Sequence, residues 1–470
     1  MRRLAEIPSP WRYLVIGLLV LAAILLLRWI EEDDEAVHAP PPAPVALRHD
    51  GCVATVDVHF KLRPGATTAL AAQPLFTHLP RTAAAFDDPR ARWRRIEIPA
   101  AHAAAFVAAL DHDPSVEEAF VAPEVTLPQP VALPQPAALG DGDSCPVTTP
   151  SFEHYQEYVG PAPAGIDAPA AWRRGVRGQG VWFADVEGGW NASHEDLPGD
   201  RMTHVAGQPI NDPTWRQHGT AVLGEVVGKD NGKGVVGLAP DVERVFTSSI
   251  GRIAVPDAID AAAERLRPGD VLLIELQMTG PRGHFIPVEL SDDIFDAIQA
   301  ATRRGVVVVE AAGNGGEDLD RSVYRGKLSR KGRDSGAIIV GAGGPPRDGF
   351  VDRARLDFSN YGSRVDVQGW GRKVATLDYG DLQRCDSADD RRYADRHYTG
   401  EFSGTSSASP IVAGAAVLLE SWSKQQRGKP LAPEVVRDLL RRTGTPQAAA
   451  GQQNIGPRPD LARALAALDR

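Results

Sequence analysis

Cysteine is almost missing from this chain: Cys52, Cys145 and Cys385 are the only three in 470 residues. That excludes a disulfide scaffold and, because none lies near another, a cysteine-based metal cluster. Two of them could pair in an oxidising compartment, leaving one over; three unpaired small residues is the equal alternative. Basic blocks are missing as well, and Lys+Arg 51 against Asp+Glu 61 leaves a net charge of −10. A nucleic-acid partner is therefore disfavoured. No segment repeats another. What remains is 43% hydrophobic and 24% charged, enough core for one large domain and a smaller one.

Long uncharged apolar runs are rare, with one exception. Residues 13–27 carry no charge and, with Trp29 and Ile30 beyond them, approach the ~20 residues of a membrane span. Arg2, Arg3 and Arg12 precede the run and Glu31-Glu32-Asp33-Asp34-Glu35 follow it. The positive flank stays in the cytoplasm, so residues 13–30 read as one transmembrane helix with the bulk of the chain on the outer face. A cleaved signal peptide fits less well, since Arg28 and the acidic run stand where a small-residue cleavage site belongs. The composition, rich in Ala, Arg and Pro, is associated with bacteria, which would make the outer face periplasmic or extracellular. If the anchor were cut, the protein would be secreted.

Two Pro-rich stretches divide the rest. The expected organisation is a cytoplasmic N-terminus (1–12), an anchor (13–30), an acidic and Pro/Ala-rich linker (31–50), a small α+β domain (51–127), a second linker (128–149) and a large domain (150–470). In the small domain, Cys52–Phe60 and Arg92–Ile98 alternate like strands. Pro99–Leu110 is helical, and Glu118–Ala122 is a further strand. In the large domain, Val181–Ala184, Val271–Ile274, Val306–Val309 and Ala337–Val340 are short apolar runs. Pro256–Arg265 and Ile294–Arg303 between them read as helices. Continuous apolar strands at crossover spacing imply a mostly parallel α/β sheet with helices on both faces.

Four short motifs carry chemistry. Ser403-Gly404-Thr405-Ser406 leads into an apolar helix through a glycine turn, which places a hydroxyl at a helix N-terminus. Gln217-His218-Gly219-Thr220 puts an imidazole at what reads as a helix start, where it can act as a general base. Asp185 closes the expected strand Val181–Ala184 and could orient that imidazole. Asn314, in Ala311-Ala312-Gly313-Asn314, offers an amide donor to a developing oxyanion. Each fragment alone is an ordinary turn or cap; together they make a constellation.

In this order, Asp185, His218, Asn314 and Ser406, the chain resembles the subtilisin-like serine protease family. The most specific likeness is Gly404-Thr405-Ser406 through Pro410, followed by His218-Gly219-Thr220 and Ala311–Asn314. Phe358–Gly362, Pro433–Arg437, Thr443–Thr445 and Ile455–Leu461 are family-like too. The likeness covers about residues 150–469. It implies a subtilisin-like fold and a serine endopeptidase with Ser406 as nucleophile, His218 as base, Asp185 as orienting acid and Asn314 as oxyanion donor. It further implies that Glu275, Leu276, Gln277, Ala311, Ala312 and Gly313 bind substrate, a polypeptide. The small domain resembles the family's inhibitory propeptide and becomes a partner of the cleft. No cofactor or metal is required; structural calcium often stabilises the family, but no ligand loop can be named in this sequence.

Two departures stand out. Asp185 is followed by Val186-Glu187-Gly188, where the family usually has a small hydroxyl residue and then glycine. Glu275-Leu276-Gln277-Met278 replaces a run of small residues and is expected to narrow and charge the substrate channel. These departures leave a second reading, a non-catalytic binding or assembly protein on the same fold.

Overall fold

The computed structural model describes residues 54–79, 88–127, 146–384, 394–448 and 453–470. The expected span 13–30, the three cysteines and most of the second linker lie outside these residues. Among the described residues, no helix is long and apolar enough to cross a membrane.

The N-terminal part is a small α+β sheet. Strands β1 (Thr55–Leu62), β2 (Gln73–Pro74) and β3 (Trp93–Pro99), helix α1 (Ala103–Asp111) and strand β4 (Val116–Val121) give the order β2-β3-β1-β4. All neighbouring pairs are antiparallel. Period two along β1 sends Val58, Phe60 and Leu62 into a core with Leu110 and Val116. A short strand, β5 (Val125–Thr126), then leaves this sheet.

The larger part begins with helix α2 (Ala168–Trp172), strands β6 (Trp182–Glu187) and β7 (Met202–Ala206), and helix α3 (Pro213–Val227). Strand β8 (Arg244–Ser249), helix α4 (Val255–Ala263) and strands β9 (Val271–Ile274), β10 (Gln277–Thr279) and β11 (Phe285–Pro287) follow. Helix α5 (Asp292–Arg303) leads to strands β12 (Val307–Ala311), β13 (Ile338–Gly343), β14 (Val367–Trp370), β15 (Val374–Leu377) and β16 (Tyr398–Phe402). Helices α6 (Thr405–Arg427), α7 (Pro433–Thr443) and α8 (Leu461–Leu468) complete the chain.

Seven strands form one sheet in the order β14-β13-β12-β9-β6-β8-β7, every pair parallel. The apolar runs at 271–274, 306–309 and 337–340 fall on β9, β12 and β13. Alternation within these strands serves two cores. Phe183, Leu273, Val307 and Val309 meet α3 and α6. Ala184, Val186, Leu272, Ile274 and Val308 meet α4 and α5 on the other face.

The chain turns from β6 to β8 on one side and then returns to β9 on the other. That reversal opens a crevice at the carboxyl ends of β6 and β9, where parallel α/β sheets hold their ligands.

Candidate active site

The first correction concerns β6. It does not stop at Ala184 but runs to Glu187, so Asp185 lies inside the strand and Glu187 at its carboxyl end. Two residues apart, both carboxyls leave the sheet on the face that carries Phe183, toward α3 and α6. Both residues are fully buried.

The second concerns His218. Helix α3 starts at Pro213, capped by Asp212, whose carboxylate accepts from the Thr214 N–H at 2.7 Å. His218 therefore sits in the second turn, not at the helix start. Gly219 beside it lets the helix lie against β6: a Cβ there would come within 2.3 Å of the Gly189 carbonyl and 2.8 Å of Glu187 Oε2. This close approach brings His218 Nδ1 to 2.5 Å from Glu187 Oε1. Asp185, the expected orienting acid, is bonded elsewhere: its Oδ2 accepts from Trp190 Nε1 at 2.7 Å. The reason is reach and position. Glu187 stands at the strand end level with the imidazole, while Asp185 lies one strand repeat deeper.

Burial raises Glu187 well above the ordinary carboxyl range, opposed by the N–H of Gly188. Asp185 is raised by burial first and then by the neighbouring Glu187, opposed by Trp190 and His218. Two carboxyls this near each other in a dry site do not both ionise. The one bonded to the imidazole has a cationic partner available; the other has an indole.

Ser406 is the second residue of α6 and fully buried. Gly404 before it has φ +103°, a backbone region closed to L side chains, and turns the chain sharply out of β16 into the helix. The preceding Phe402 ring stands edge-on to His218, with centroids 5.5 Å apart.

Asn314 follows β12. Its Oδ1 accepts from both the N–H and the hydroxyl of Thr405, at 2.9 and 3.0 Å. The amide oxygen is thereby committed to the start of α6. Gly313 takes φ +88°, and Asn360 Nδ2 ties down the Ala312 carbonyl at 2.6 Å. Ala311 and Ala312 are fully buried and serve the loop's packing. Thr405 and Asn360 were not singled out from the sequence as holders of this loop, although both stand in stretches that were. Replacing Asn314 by Ala is expected to lower kcat by on the order of 10²–10³ with KM little changed, measured on a peptide substrate.

The remaining expected substrate residues divide. Gln277 lies on β10, pairs with Thr126 of β5, and donates from Nε2 to the Leu127 carbonyl at 2.7 Å. Its Oε1 accepts the Asn314 N–H at 2.9 Å. Glu275 is fully buried and its carboxyl bonds the Ser409 hydroxyl under α6. Leu276 packs into the core on the α4–α5 side of the sheet. Among the described residues there is no cluster of three or more His, Cys, Asp or Glu suited to a metal ion.

The Subtilase family pattern matches residues 191–456. The match holds His218, Asn314 and Ser406 but starts after both Asp185 and Glu187. The chain is 27% identical over 294 residues to the major intracellular serine protease of Bacillus subtilis (strain 168), covering 59% of this chain and 80% of that protein. It is 28% identical to the intracellular serine protease of Paenibacillus polymyxa, over 61% of this chain and 82% of that one. Against subtilisin Savinase of Lederbergia lenta it is 29% identical, over 60% and 89%. Among solved structures, a protease from Pseudoalteromonas arctica PAMC 21717 superimposes with a TM-score of 0.50 at 22% identity, over 68% of this chain and 99% of that one. That last likeness speaks for the fold alone.

Proposed function

Because this chain belongs to the subtilase family and is a serine-type endopeptidase, we propose that it cleaves peptide bonds with the triad Glu187, His218 and Ser406. The observation that carries this reading is the 2.5 Å bond between Glu187 and His218 Nδ1, both fully buried, at the end of the sheet beside the first turn of α6. Ser406 Oγ attacks the scissile carbonyl and its proton passes to His218 Nε2. The imidazolium then protonates the leaving amine, and water repeats the sequence on the acyl-enzyme. Glu187 holds the Nδ1 proton, so that Nε2 is the basic nitrogen, and stabilises the imidazolium. Asn314 Nδ2 and the Ser406 N–H receive the oxyanion. A non-catalytic role on the same fold is not favoured by the family or the relatives.

Residues 55–127 act in this reading as an inhibitory propeptide. Their sheet lies on α4 and α5. Lys61 Nζ and Trp93 Nε1 both donate to Asp296 Oδ2, at 2.7 and 2.9 Å, and Thr77 N–H donates to Asp257 at 2.8 Å. Buried His59 Nδ1 lies 2.6 Å from Asp293. The domain's last strand, β5, pairs antiparallel with β10 and ends with the Leu127 carbonyl held by Gln277, next to the Asn314 loop. A segment laid along this edge covers the place a substrate strand would take. The chain is anchored through residues 13–30 with this catalytic part on the outer face, a reading supported by the charges flanking that run.

Maturation tests the reading as a whole. In cells making the parent chain, intact-mass and N-terminal analysis of the membrane and soluble fractions together is expected to find a species that begins within residues 128–149 and, having lost residues 13–30, is released from the anchor. The Ser406→Ala chain should keep residues 55–127 covalently attached. Equal processing of both chains would remove self-cleavage from the account.

A further inference from the structure

The sheet face that carries Phe183, Asp185 and Glu187 on β6 carries Val271, Leu273 and then Glu275 at the end of β9. Its apolar layer therefore gives way to carboxyls at one end. Glu225, on α3 seven residues after His218 and so on the same helix face, adds another. All four carboxyls are fully buried. Neither oxygen of Glu225 and only one oxygen each of Asp185, Glu187 and Glu275 has a hydrogen-bond partner. Such a group of dry carboxyls must hold protons.

One of those protons can be placed by counting. Ser409 Oγ lies 2.7 Å from the Thr405 carbonyl and also against Glu275 Oε1. Ser409 has a single hydroxyl proton. The carbonyl can only accept, so both contacts hold a proton only if the serine's goes to Thr405. The contact with Glu275 is then a hydrogen bond only if Glu275 supplies the proton. An ionised Glu275 would leave one of the two oxygen–oxygen contacts with no proton in it.

Ser406 stands three residues before Ser409 on α6 and so on the same helix face, which sets the carboxyl that holds Ser409 beside the nucleophile. We propose that Glu275 is a positioning residue for the nucleophile: as a neutral acid it donates to Ser409, pins the first turn of α6, and leaves the Ser406 proton to His218. As a carboxylate it would be a much stronger acceptor and would draw the Ser406 hydroxyl away from the imidazole. The inference rests on Ser406 being the nucleophile.

The groups facing Glu275 agree with a neutral form. Asp185 and Glu187 face it from β6, Glu225 from α3, and the two serine hydroxyls from α6. Burial raises Glu275 well above the ordinary carboxyl range. The charges of Asp185 and Glu187 add to this, and the bonds to Ser409 and Ser406 oppose it. The sign follows. The group's folded value lies above its unfolded one, so the neutral form, and the stability it carries, is complete at low pH and is lost as pH rises through the folded value.

Two measurements test this, one on the unprocessed chain and one on the processed enzyme. In the Ser406→Ala chain, which cannot process itself, infrared spectroscopy at neutral pH should show a protonated-carboxyl C=O band that Glu275→Gln removes. In the processed active enzyme, Glu275→Ala is expected to lower kcat about tenfold with KM nearly constant. Glu275→Gln, which keeps a neutral donor to Ser409, should recover most of that loss and carry the alkaline limb of the kcat profile upward by about one pH unit or more. No loss of the infrared band in Glu275→Gln would overturn the neutral acid whatever the activity. A Gln variant as slow as the Ala variant, with an unmoved alkaline limb, would overturn the positioning role. The infrared arm needs no catalysis, so its failure is distinguishable from a failure of the protease assignment.

Discussion

In enzyme freed of residues 55–127 by processing in trans, Ser406→Ala is expected to cut kcat on a peptide substrate by on the order of 10⁶ and to abolish labelling by a fluorophosphonate probe. The magnitude follows from what the side chain alone supplies. Without the hydroxyl no acyl-enzyme forms, and His218 and Glu187 have no nucleophile to serve. The remaining acceleration comes from Asn314, the helix N-terminus and substrate positioning, which together leave a residual of about 10³–10⁴ over water. The alanine variant should fold, because Ser406 enters a turn fixed by Gly404 and by the bonds from Thr405 to Asn314. Circular dichroism and the melting temperature provide that check. Labelling of the alanine variant at the parent's rate would mean that another residue is the nucleophile.

The second large effect separates two acids on one strand. Glu187→Gln is expected to lower kcat about 10⁴-fold, since an amide next to Nδ1 favours the wrong tautomer and does not stabilise the imidazolium. Asp185→Asn is expected to cost no more than about tenfold. Its carboxyl is raised by burial and by Glu187, and an amide oxygen can accept the Trp190 N–H as the acid does. The contrast between the two variants carries the information, because both replace a buried acid by its amide at nearly constant volume. Steady-state kinetics on matched, processed enzymes measures it. Equal losses, or a larger loss at Asp185, would return the orienting role to Asp185.

The fold was legible wherever burial left an apolar signature. Strands β9, β12 and β13 are covered on both faces, and their sequences are continuous Val, Ile and Leu runs for that reason. Strand β6 was legible only in its first half. Its last three residues, Asp185-Val186-Glu187, are fully buried, yet two are acids and carry no hydrophobic signal. The strand end was therefore set at Ala184 and the carboxyl that bonds the imidazole was passed over. Gly188-Gly189 marked the true end, since the sheet continues until the glycines, and the acid directly before them is Glu187.

The turns that carry Ser406 and Asn314 were legible because each holds a glycine. The helix carrying His218 was misplaced because its first turn, Pro213-Thr214-Trp215-Arg216, has no apolar period; the Asp212–Pro213 cap was its only signal. The contact of Glu275 with α6 was not legible because sequence alone does not say which face of the chain a residue leaves by after a strand. Its bond to Ser409 joins segments more than a hundred residues apart, and no local pattern announces it.

The account turns on which carboxylate holds the imidazole, and the Nδ1 proton of His218 reports this directly. In the Ser406→Ala chain with ¹⁵N-labelled histidine, proton NMR is expected to show a far-downfield Nδ1–H signal. That signal should persist in Asp185→Asn and move upfield or vanish in Glu187→Gln. A signal that survives Glu187→Gln unchanged and is lost in Asp185→Asn would contradict the account.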